Sequence, residues 1–318
     1  MNEKLGIHLK ESKIAHLPEM HAYQEALGEL LEVEVELVES PVQKNPAHVY
    51  WHFMGVHLRR PKYRKVIHDY RSLSTGRFSK LKDRLKGVLN CRPDLRIFLN
   101  EEVRQQMNFK DSVPYCLLDM GVPSWIGDLR GDSDEFRYGF CYVGEVTKER
   151  GNEVLLEAFV SRNLFDQKLL IVGNVEPEIL SRYEGESGIV FTGKVSQREV
   201  FEYLSETEYA ICHFPRHRPH CYQTPTKLLE YAALGKKIIA NKSPSNLRLA
   251  KELGIEVYWC SERVFDTYET ENTIQDNRKF DASTLTWRKR FEESGLLDHL
   301  KAWQADIERE EFISSRFK

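Results

Sequence analysis

The sequence predicts an α/β fold made of two doubly wound domains, each built on a parallel sheet. Apolar segments of strand length alternate with amphipathic helical patterns along the chain, which is typical of parallel sheets covered by helices on both faces. In the second half this alternation continues without a break over 140–259. A chain of 318 residues is long enough for two domains, each with its own core.

Six strands and three helices are predicted in the first half. A segment rich in Gly, Pro, Ser and Asp at 121–136 then predicts a domain boundary. The predicted strands are 13–17, 33–38, 48–53, 65–69, 95–99 and 115–118, and the predicted helices are 20–31, 78–89 and 101–107.

The second half repeats the alternation and ends in an amphipathic tail. We therefore predict a first domain over 1–130, a second over 137–283 and a helical tail over 284–318, with one long helix at 286–307. The predicted strands are 140–143, 168–172, 189–191, 209–213, 237–240 and 256–259, and the predicted helices are 151–159, 177–183, 197–204, 225–234 and 245–253.

Composition indicates a globular protein. Hydrophobic residues make up 41% of the chain and charged residues 30%. No apolar run approaches the ~20 residues that span a bilayer, and the N-terminal residues do not resemble a signal peptide. The six cysteines are scattered, with no C-x-x-C pair, so we expect free thiols and a cytoplasmic location.

A local excess of positive charge lies at 59–96. This segment has thirteen basic and three acidic residues, a net charge of +10, although the whole chain carries −3. One interpretation is a solvated helical face; another is contact with anionic lipid headgroups or a lipid-diphosphate acceptor at a membrane surface. No aromatic-basic motif accompanies the charge, so we expect no nucleic-acid partner.

The segment 223–241 has the pattern of a phosphate-binding helix. Thr224 is a favourable N-cap and Pro225 a favourable first residue of a helix that follows a polar loop. The N–H groups and the positive dipole end of a helix N-terminus attract phosphate. Lys227 in the first turn and Glu230 three residues later share one face, which places a cation for a diphosphate beside a carboxylate for sugar hydroxyls.

This segment resembles the donor-binding helix of retaining GT-B glycosyltransferases of the large family four, whose pattern P-x-K-x-x-E-Y-x-A-x-G it matches over 225–235. Three further segments, 142–159, 169–173 and 189–195, are similar to that family in order and spacing. The resemblance implies a GT-B fold, in which two Rossmann-like domains face each other across a cleft and the C-terminal helix crosses back to the first domain. It also implies a nucleotide-diphosphate sugar as donor and no metal cofactor.

Family roles can be carried over to matching positions. Arg150 and Lys227 would stabilise the diphosphate as catalytic residues, and Glu230 would accept hydrogen bonds from ribose hydroxyls. Further donor-binding positions implied by the resemblance are Gly144, Gly193, Val195, Thr224, Tyr222 and Gln223.

Two positions depart from the family pattern. Glu145 stands where the family has an arginine, so we expect it to point away from the diphosphate or to pair with Arg150. Tyr222 stands where the family has a second glutamate, so the loop 213–223 must contact the donor sugar differently. A sugar-nucleotide-binding or scaffolding protein without activity is therefore the alternative. A Rossmann oxidoreductase is disfavoured because no G-x-G-x-x-G follows a strand.

In the first half, His68 lies at the carboxyl end of the predicted strand 65–69 and resembles the family's histidine near the donor sugar, which would make it a catalytic residue. A histidine buried between domains is the equally open reading. Asp69 and Arg71 are candidates for acceptor binding. His217 and His220 could imitate a metal site, but their loop has no carboxylate or cysteine pair, so we predict no metal ligands.

Together these patterns predict an enzyme, a glycosyltransferase that moves a sugar from a nucleotide-diphosphate sugar to a glycan or lipid-linked glycan acceptor. Retention of anomeric configuration and a place in surface polysaccharide synthesis are implied by the resemblance. Through 59–96 the protein would bind peripherally to the inner face of the cell membrane.

Overall fold

The computed structural model describes residues 5–10, 19–31, 33–42, 48–53, 55–130, 135–260, 264–265 and 275–316. The chain divides into two compact units. Unit 1 comprises Met1–Pro123 together with Thr286–Lys318, and unit 2 comprises Ser124–Leu285.

Unit 1 is built on a parallel six-stranded sheet in the order β2-β1-β3-β4-β5-β6. Three helices connect its strands. The strands are β1 (Gly6–Lys10), β2 (Glu34–Val38), β3 (Val49–Phe53), β4 (Lys65–Tyr70), β5 (Leu95–Phe98) and β6 (Tyr115–Leu117), and the helices are α1 (Glu19–Leu31), α2 (Ser79–Leu89) and α3 (Glu101–Met107).

The first strand was not predicted. β1 has the sequence GIHLK, in which only Ile7 and Leu9 are strongly apolar. Both are fully buried, whereas His8 points to the other face and hydrogen bonds through Nδ1 to the Tyr63 hydroxyl at 2.7 Å. Long-range contacts on both faces therefore stabilise a strand that has a weak local signal. The predicted strand at 13–17 lies outside the described residues.

Unit 2 is also built on a parallel six-stranded sheet, in the order β12-β11-β10-β7-β8-β9. These two sheets with their connecting helices confirm the α/β, doubly wound prediction. The strands are β7 (Tyr138–Val143), β8 (Leu169–Val172), β9 (Ile189–Gly193), β10 (Thr207–Cys212), β11 (Lys237–Asn241) and β12 (Tyr258–Cys260), and the helices are α4 (Val154–Ser161), α5 (Pro177–Tyr183), α6 (Gln197–Ser205), α7 (Thr226–Ala233) and α8 (Pro244–Leu253).

Three helix starts in unit 2 differ from the predictions, and that of α8, at Pro244, does so by one residue. The N-cap residue of α7 is Pro225, with φ −74° and ψ 90°, so Thr224 is not the N-cap. Proline restricts φ but leaves ψ extended here, and the helix begins one residue later than predicted. α4 begins at Val154 and not at Gly151, because Gly151 has φ +63° and closes a turn.

The C-terminal tail returns to unit 1 as two helices, α9 (Trp287–Glu293) and α10 (Leu296–Arg316), and not as the single helix predicted. Gly295, with φ +74°, separates them. Their apolar residues are part of the core beneath β1, β3 and β4: Trp287, Phe291, Leu296, Leu297, Leu300, Trp303 and Ile307. Among the helices of the described residues, none combines the length and apolarity needed to cross a membrane.

Candidate functional site

The best-formed candidate site lies at the point in unit 2 where the strand order reverses direction. From β7 the chain builds outward through β8 and β9, and then returns to add β10, β11 and β12 on the other side. In open parallel sheets, ligands bind at this switch point, outside the carboxyl ends of the two central strands. Here those ends lead into the loop 144–153 after β7 and the loop 213–225 after β10.

Lys227 lies directly over Gly144 at this switch point. A Cβ atom at Gly144 would lie 2.8 Å from Nζ and 3.2 Å from Cε of Lys227, and the backbone has φ +132°. The ammonium also lies 5.8 Å from the centre of the Tyr142 ring. Glycine is therefore required here for two reasons, the backbone conformation and the space that the lysine occupies.

Two further glycines continue this surface along the strand ends. Gly173 follows β8 with φ +135°, and a Cβ atom there would lie 2.5 Å from the carbonyl oxygen of Gly144. Its N–H donates to the carbonyl of Gly193, at the end of β9, at 2.9 Å. The ends of three strands thus meet as bare backbone, which lets a ligand approach the main chain closely.

Asn152 holds the loop after β7. Its side chain is 2% exposed, and Nδ2 donates to the Tyr142 hydroxyl and to the Glu145 carbonyl, both at 2.7 Å. Its Oδ1 accepts from the N–H of Thr147 at 2.9 Å. Sequence reasoning missed this residue, because a single asparagine in a polar loop has no distinctive signal.

Arg150 and Glu145 face each other across the same loop. Arg150 Nη2 lies 3.0 Å from Glu145 Oε2, so of the two arrangements expected for Glu145 the structure has the ion pair. Both side chains are exposed, at 42% and 54%, and an exposed ion pair of this kind stabilises by less than ~1 kcal/mol. A bound polyanion can therefore replace Glu145 as the partner of Arg150 at small cost.

Glu230 lies one turn beyond Lys227 in α7, and its carboxylate is half-buried. Burial raises the pKa of Glu230 to about 7, while the charge of Lys227 and a hydrogen bond from the Gln197 side chain oppose that rise. Gln197 is the first residue of α6, whose N-cap Ser196 forms a capping box with Glu199. A carboxylate with this pKa changes its charge near neutral pH, which is typical of functional sites.

The loop after β10 is anchored by asparagines on β11 and α8. Asn241 Oδ1 accepts from the N–H of Phe214, and its Nδ2 donates to the Phe214 carbonyl, both at 2.9 Å. Asn246 Nδ2 donates to the Cys212 carbonyl at 3.2 Å. Within the loop, Tyr222 and Gln223 are half-buried, and the ring of Tyr222 lies 5.8 Å from Cζ of Arg218. The predicted sugar-contacting residues are thus held beside the start of α7.

The two loops of the site approach each other. Burial lowers the pKa of His220, in the loop after β10, and the charges of His217 and of Arg150 add to that effect. His220 is therefore neutral beside Arg150. Ser245 Oγ donates to the His220 carbonyl at 2.9 Å, which fixes this part of the loop against α8.

The predicted acceptor residues of unit 1 lie in its interior. Asp69 and Arg71 are fully buried, with Asp69 Oδ2 accepting from Trp51 Nε1 at 3.1 Å and Arg71 donating to the Leu118 carbonyl. Burial raises the pKa of Asp69 to about 7, although Arg71 4.0 Å away opposes this. These contacts stabilise unit 1, and the acceptor role stays a prediction.

His68 is 3% exposed and lies on the opposite face of β4 from Asp69. Its ring contacts those of His52 and His57. Within the described residues these three histidines form the single group of three potential metal ligands. No local pattern in the sequence indicates the group, since its members come from different elements.

The basic segment 59–96 divides into internal and surface cations. Arg96 is buried and pairs with Asp111, with Nη2 2.7 Å from Oδ2. Arg60 pairs with Asp94 and Arg64 with Glu310. Of the cations of α2, Lys80, Lys82 and Arg84 are exposed, whereas the side chain of Lys86 is 11% exposed and lies 3.3 Å from Asp83.

Comparisons with known proteins agree with this fold. Residues 137–257, less than half of the chain, match the family described as Glycosyl transferases group 1. No curated protein sequence matches the chain.

Solved structures resemble the chain over nearly its whole length at low identity. AviGT4, a glycosyltransferase involved in avilamycin A biosynthesis, is 14% identical with a TM-score of 0.60, over 95% of this chain and 98% of that one. A glycosyltransferase from Rickettsia africae ESF-5 is 12% identical with a TM-score of 0.63, over 94% and 98%. Anabaena Alr3699/HepE in complex with UDP and glucose is 12% identical with a TM-score of 0.57, over 92% and 99%. The chain therefore has the GT-B fold of these glycosyltransferases.

Proposed function

We propose that this protein is a glycosyltransferase that uses a nucleoside-diphosphate sugar, bound at the carboxyl ends of β7 and β10 in unit 2. The observation that carries the proposal is the position of Lys227 directly over Gly144, with Glu230 one turn further along α7. A cation above bare backbone, at a helix start and a topological switch point, suits a diphosphate.

The chemistry required is stabilisation of a leaving group. The bond between the anomeric carbon and the diphosphate oxygen breaks, the electron pair stays on the diphosphate, and an acceptor hydroxyl oxygen forms the new bond and loses its proton. Lys227, Arg150 and the start of α7 supply positive charge where the negative charge develops. Arg150 would take this role by leaving its ion pair with Glu145 and pairing with the diphosphate.

Glu230 is proposed to bind the ribose. A carboxylate accepts hydrogen bonds from two adjacent hydroxyl groups, and this one lies one turn inside the helix that binds the phosphates. Tyr222 and Gln223 are proposed to contact the transferred sugar, together with backbone around Gly144, Gly193 and Val195. UDP is the first nucleotide to test, since the Anabaena protein binds UDP.

The test is calorimetric titration of UDP and other nucleoside diphosphates, followed by turnover of the matching sugar donors. Lys227→Ala and Arg150→Ala should each lower turnover by about 10²–10³-fold, the usual loss for one oriented charge-stabilising donor. Lys251→Ala on α8 and Arg182→Ala on α5, both at exposed positions, are the matched controls and should retain activity. Near-normal turnover in both site variants would contradict the proposal.

We further propose a lipid-linked glycan as acceptor, reached from an anionic membrane surface through α2. Four apolar side chains of this helix are strongly exposed, from 44% for Leu85 to 82% for Val88. At 3.6 residues per turn they share an arc of roughly 100° with the preceding Phe78. The four are Leu81, Leu85, Val88 and Leu89.

Basic residues flank this apolar face on both sides. Lys80 and Arg84 lie along one edge and Lys82 along the other, while Lys86 and the N–H of Ser74 contact the buried Asp83 on the opposite side of the helix, at 3.3 and 3.0 Å. A helix that exposes an apolar stripe flanked by cations is typical of binding in the plane of an anionic membrane.

Retention of configuration is proposed from the resemblance in sequence alone. An anomeric proton spectrum of the first product would decide between retention and inversion. A binding protein without activity is the second candidate, favoured by Glu145 in place of an arginine. It predicts tight UDP binding with no turnover of any UDP-sugar, in the presence of any glycan acceptor.

A further inference from the structure

We propose that His52, His57, His68 and Cys91 of unit 1 form a zinc site. This site lies outside the donor site of unit 2, and its existence does not depend on the proposed glycosyl transfer. The four residues come from β3, from the loop after β3, from β4 and from the loop after α2.

The sheet itself brings two of the ligands together. His52 on β3 is in register with His68 on β4, and parallel neighbours in register project from the same face. His57 lies over this pair, with its ring centre 4.4 Å from that of His52 and 5.5 Å from that of His68. One ring nitrogen of each histidine lies within 4.8 Å of the others.

Cys91 lies next to one of the three histidines. Its Sγ lies 3.8 Å from Nε2 of His68. Bond lengths of about 2.0–2.1 Å to nitrogen and 2.3 Å to sulfur in a tetrahedral zinc site separate such atoms by roughly 3.5 Å. Coordination requires the three nitrogen atoms, which lie within 4.8 Å of one another, to approach by up to about 1.5 Å, and Sγ of Cys91 to move closer to His52 and His57. Three imidazoles and one thiolate are a ligand set that favours Zn²⁺.

The loops that carry His57 and Cys91 are joined by their backbones. The N–H of Cys91 donates to the His57 carbonyl at 2.7 Å, and the N–H of His57 donates to Asn90 Oδ1 at 2.8 Å. Tyr70 lies beside the proposed ligand His68, since its hydroxyl is 3.5 Å from Nδ1 of that ring. Such a contact orients a metal-bound imidazole through its second nitrogen.

A buried ring nitrogen of the cluster without a hydrogen-bond partner indicates a bound ligand. Nδ1 of His57 is buried and makes no hydrogen bond within the part of the chain that the structure describes. Buried polar atoms without a partner are rare in folded proteins, and a metal ion would satisfy this one.

Nearby positive charges make the thiolate important. Lys10 and Arg60 lie close enough to act on the histidines, and Arg96 is in register with His68. These cations repel Zn²⁺, and a Cys91 thiolate would offset them. Binding should therefore depend strongly on Cys91, whose thiol loses its proton on coordination.

The experiment measures metal directly in the full-length protein. Plasma mass spectrometry of purified protein should find about one zinc per chain. After chelation, added Co²⁺ should produce the intense visible absorption of tetrahedral cobalt and a thiolate charge-transfer band in the near ultraviolet. Zinc should raise the Tm of chelated protein by about 5 °C at saturating concentration.

Variants identify the ligands. His57→Gln and His52→Gln should each lower metal affinity by at least tenfold, and Cys91→Ser should abolish the charge-transfer band. His21→Gln on the exposed face of α1 and Cys221→Ser in unit 2 are the matched controls and should bind normally. Circular dichroism checks that each variant is folded.

The proposal is overturned if wild-type protein takes up neither zinc nor cobalt, or if both folded histidine variants bind as tightly as wild type. In either case the three rings form an aromatic cluster only.

Discussion

At the scale of single residues, the ionisation of Glu230 should make nucleotide binding at the candidate site depend on pH. Its pKa of about 7 exceeds the usual value because burial disfavours the charged form. Ribose hydroxyls donate to the ionised carboxylate, so a bound nucleotide favours loss of the proton. Binding and ionisation are therefore coupled, and each promotes the other.

We expect the affinity for UDP to fall about tenfold between pH 8 and pH 6, since the folded protein takes up one proton at Glu230 as the pH falls through about 7. Calorimetry over this range measures the effect. Glu230→Gln removes the titrating group and is the control that accounts for ionisation of the diphosphate itself. If both proteins show the same pH dependence, Glu230 does not contact the ligand.

Gly144 offers a second prediction at this scale. Gly144→Ala should destabilise the protein by about 1–3 kcal/mol, because φ +132° is strained for any residue with a Cβ atom. It should also weaken UDP binding, since the new methyl group displaces Lys227. Thermal unfolding and UDP titration measure the two effects.

Gly254→Ala is the matched control. This glycine also has a positive φ, +65°, but no atom lies within 4 Å of the added Cβ. The Gly254→Ala variant should be less stable than the wild type and should bind UDP with unchanged affinity. Equal UDP affinity in the two variants would contradict the role of Gly144 in placing Lys227.

At the scale of elements, α2 is unusual because it exposes the apolar face that an ordinary surface helix buries. It buries a charged residue, Asp83, and exposes its leucines and valine. An apolar stripe of this kind normally faces the core. The cost of burying the Asp83 carboxylate is offset by a hydrogen bond from the N–H of Ser74 and by Lys86, whose Nζ lies 3.3 Å from Asp83 Oδ1. The apolar face is then left for a partner outside unit 1.

We expect the protein to bind phosphatidylglycerol vesicles at low salt and to bind phosphatidylcholine vesicles much more weakly. Vesicle co-sedimentation measures both. Increasing salt should weaken binding, because it screens the cations of α2. Combined neutralisation of Lys80, Lys82, Arg84 and Lys86 should have the same effect.

A paired change separates apolar insertion from charge. Leu85→Ser with Val88→Ser should weaken vesicle binding about tenfold, since two exposed apolar groups no longer enter the membrane. Leu247→Ser, at an exposed position on α8 of unit 2, is the control. Equal binding to neutral and anionic vesicles would reject the membrane proposal.

At the scale of the whole molecule, the two units depend differently on the ends of the chain. Unit 2 is one continuous segment, Ser124–Leu285, whereas unit 1 requires Thr286–Lys318 to complete its core. α9 and α10 contribute two tryptophans, a phenylalanine, three leucines and an isoleucine to that core. Each large apolar side chain contributes about 1.5–3 kcal/mol when buried, so together they rival the stability of a whole domain.

A chain that ends at residue 285 should therefore lose the cooperative unfolding of unit 1 and retain UDP binding in unit 2. Scanning calorimetry and UDP titration measure the two properties. A chain that ends at Glu310 is the control, because it retains all seven core residues of α9 and α10. Loss of UDP binding in the shorter chain alone would show that unit 2 does not act independently.

The local patterns of the sequence determine most elements and the main residues of the donor site. The spacing of apolar residues and the positions of turn residues predict the alternation of strands and helices, because strands and helices both depend on neighbours along the chain. Lys227 and Glu230 could be identified because one helix start contains both. The pairing of Arg150 with Glu145 was predictable, since the two are five residues apart in one loop.

Tertiary structure decides what depends on distant residues. β1 exists because Ile7 and Leu9 are buried by other elements, and Lys227 meets Gly144 because β7 and β10 are neighbours in the sheet. The histidine group likewise arises from the register of β3 and β4. Hydrophobic periodicity specifies which face of a strand is buried, but it does not specify which strand lies beside it, because pairing depends on contacts far apart in sequence.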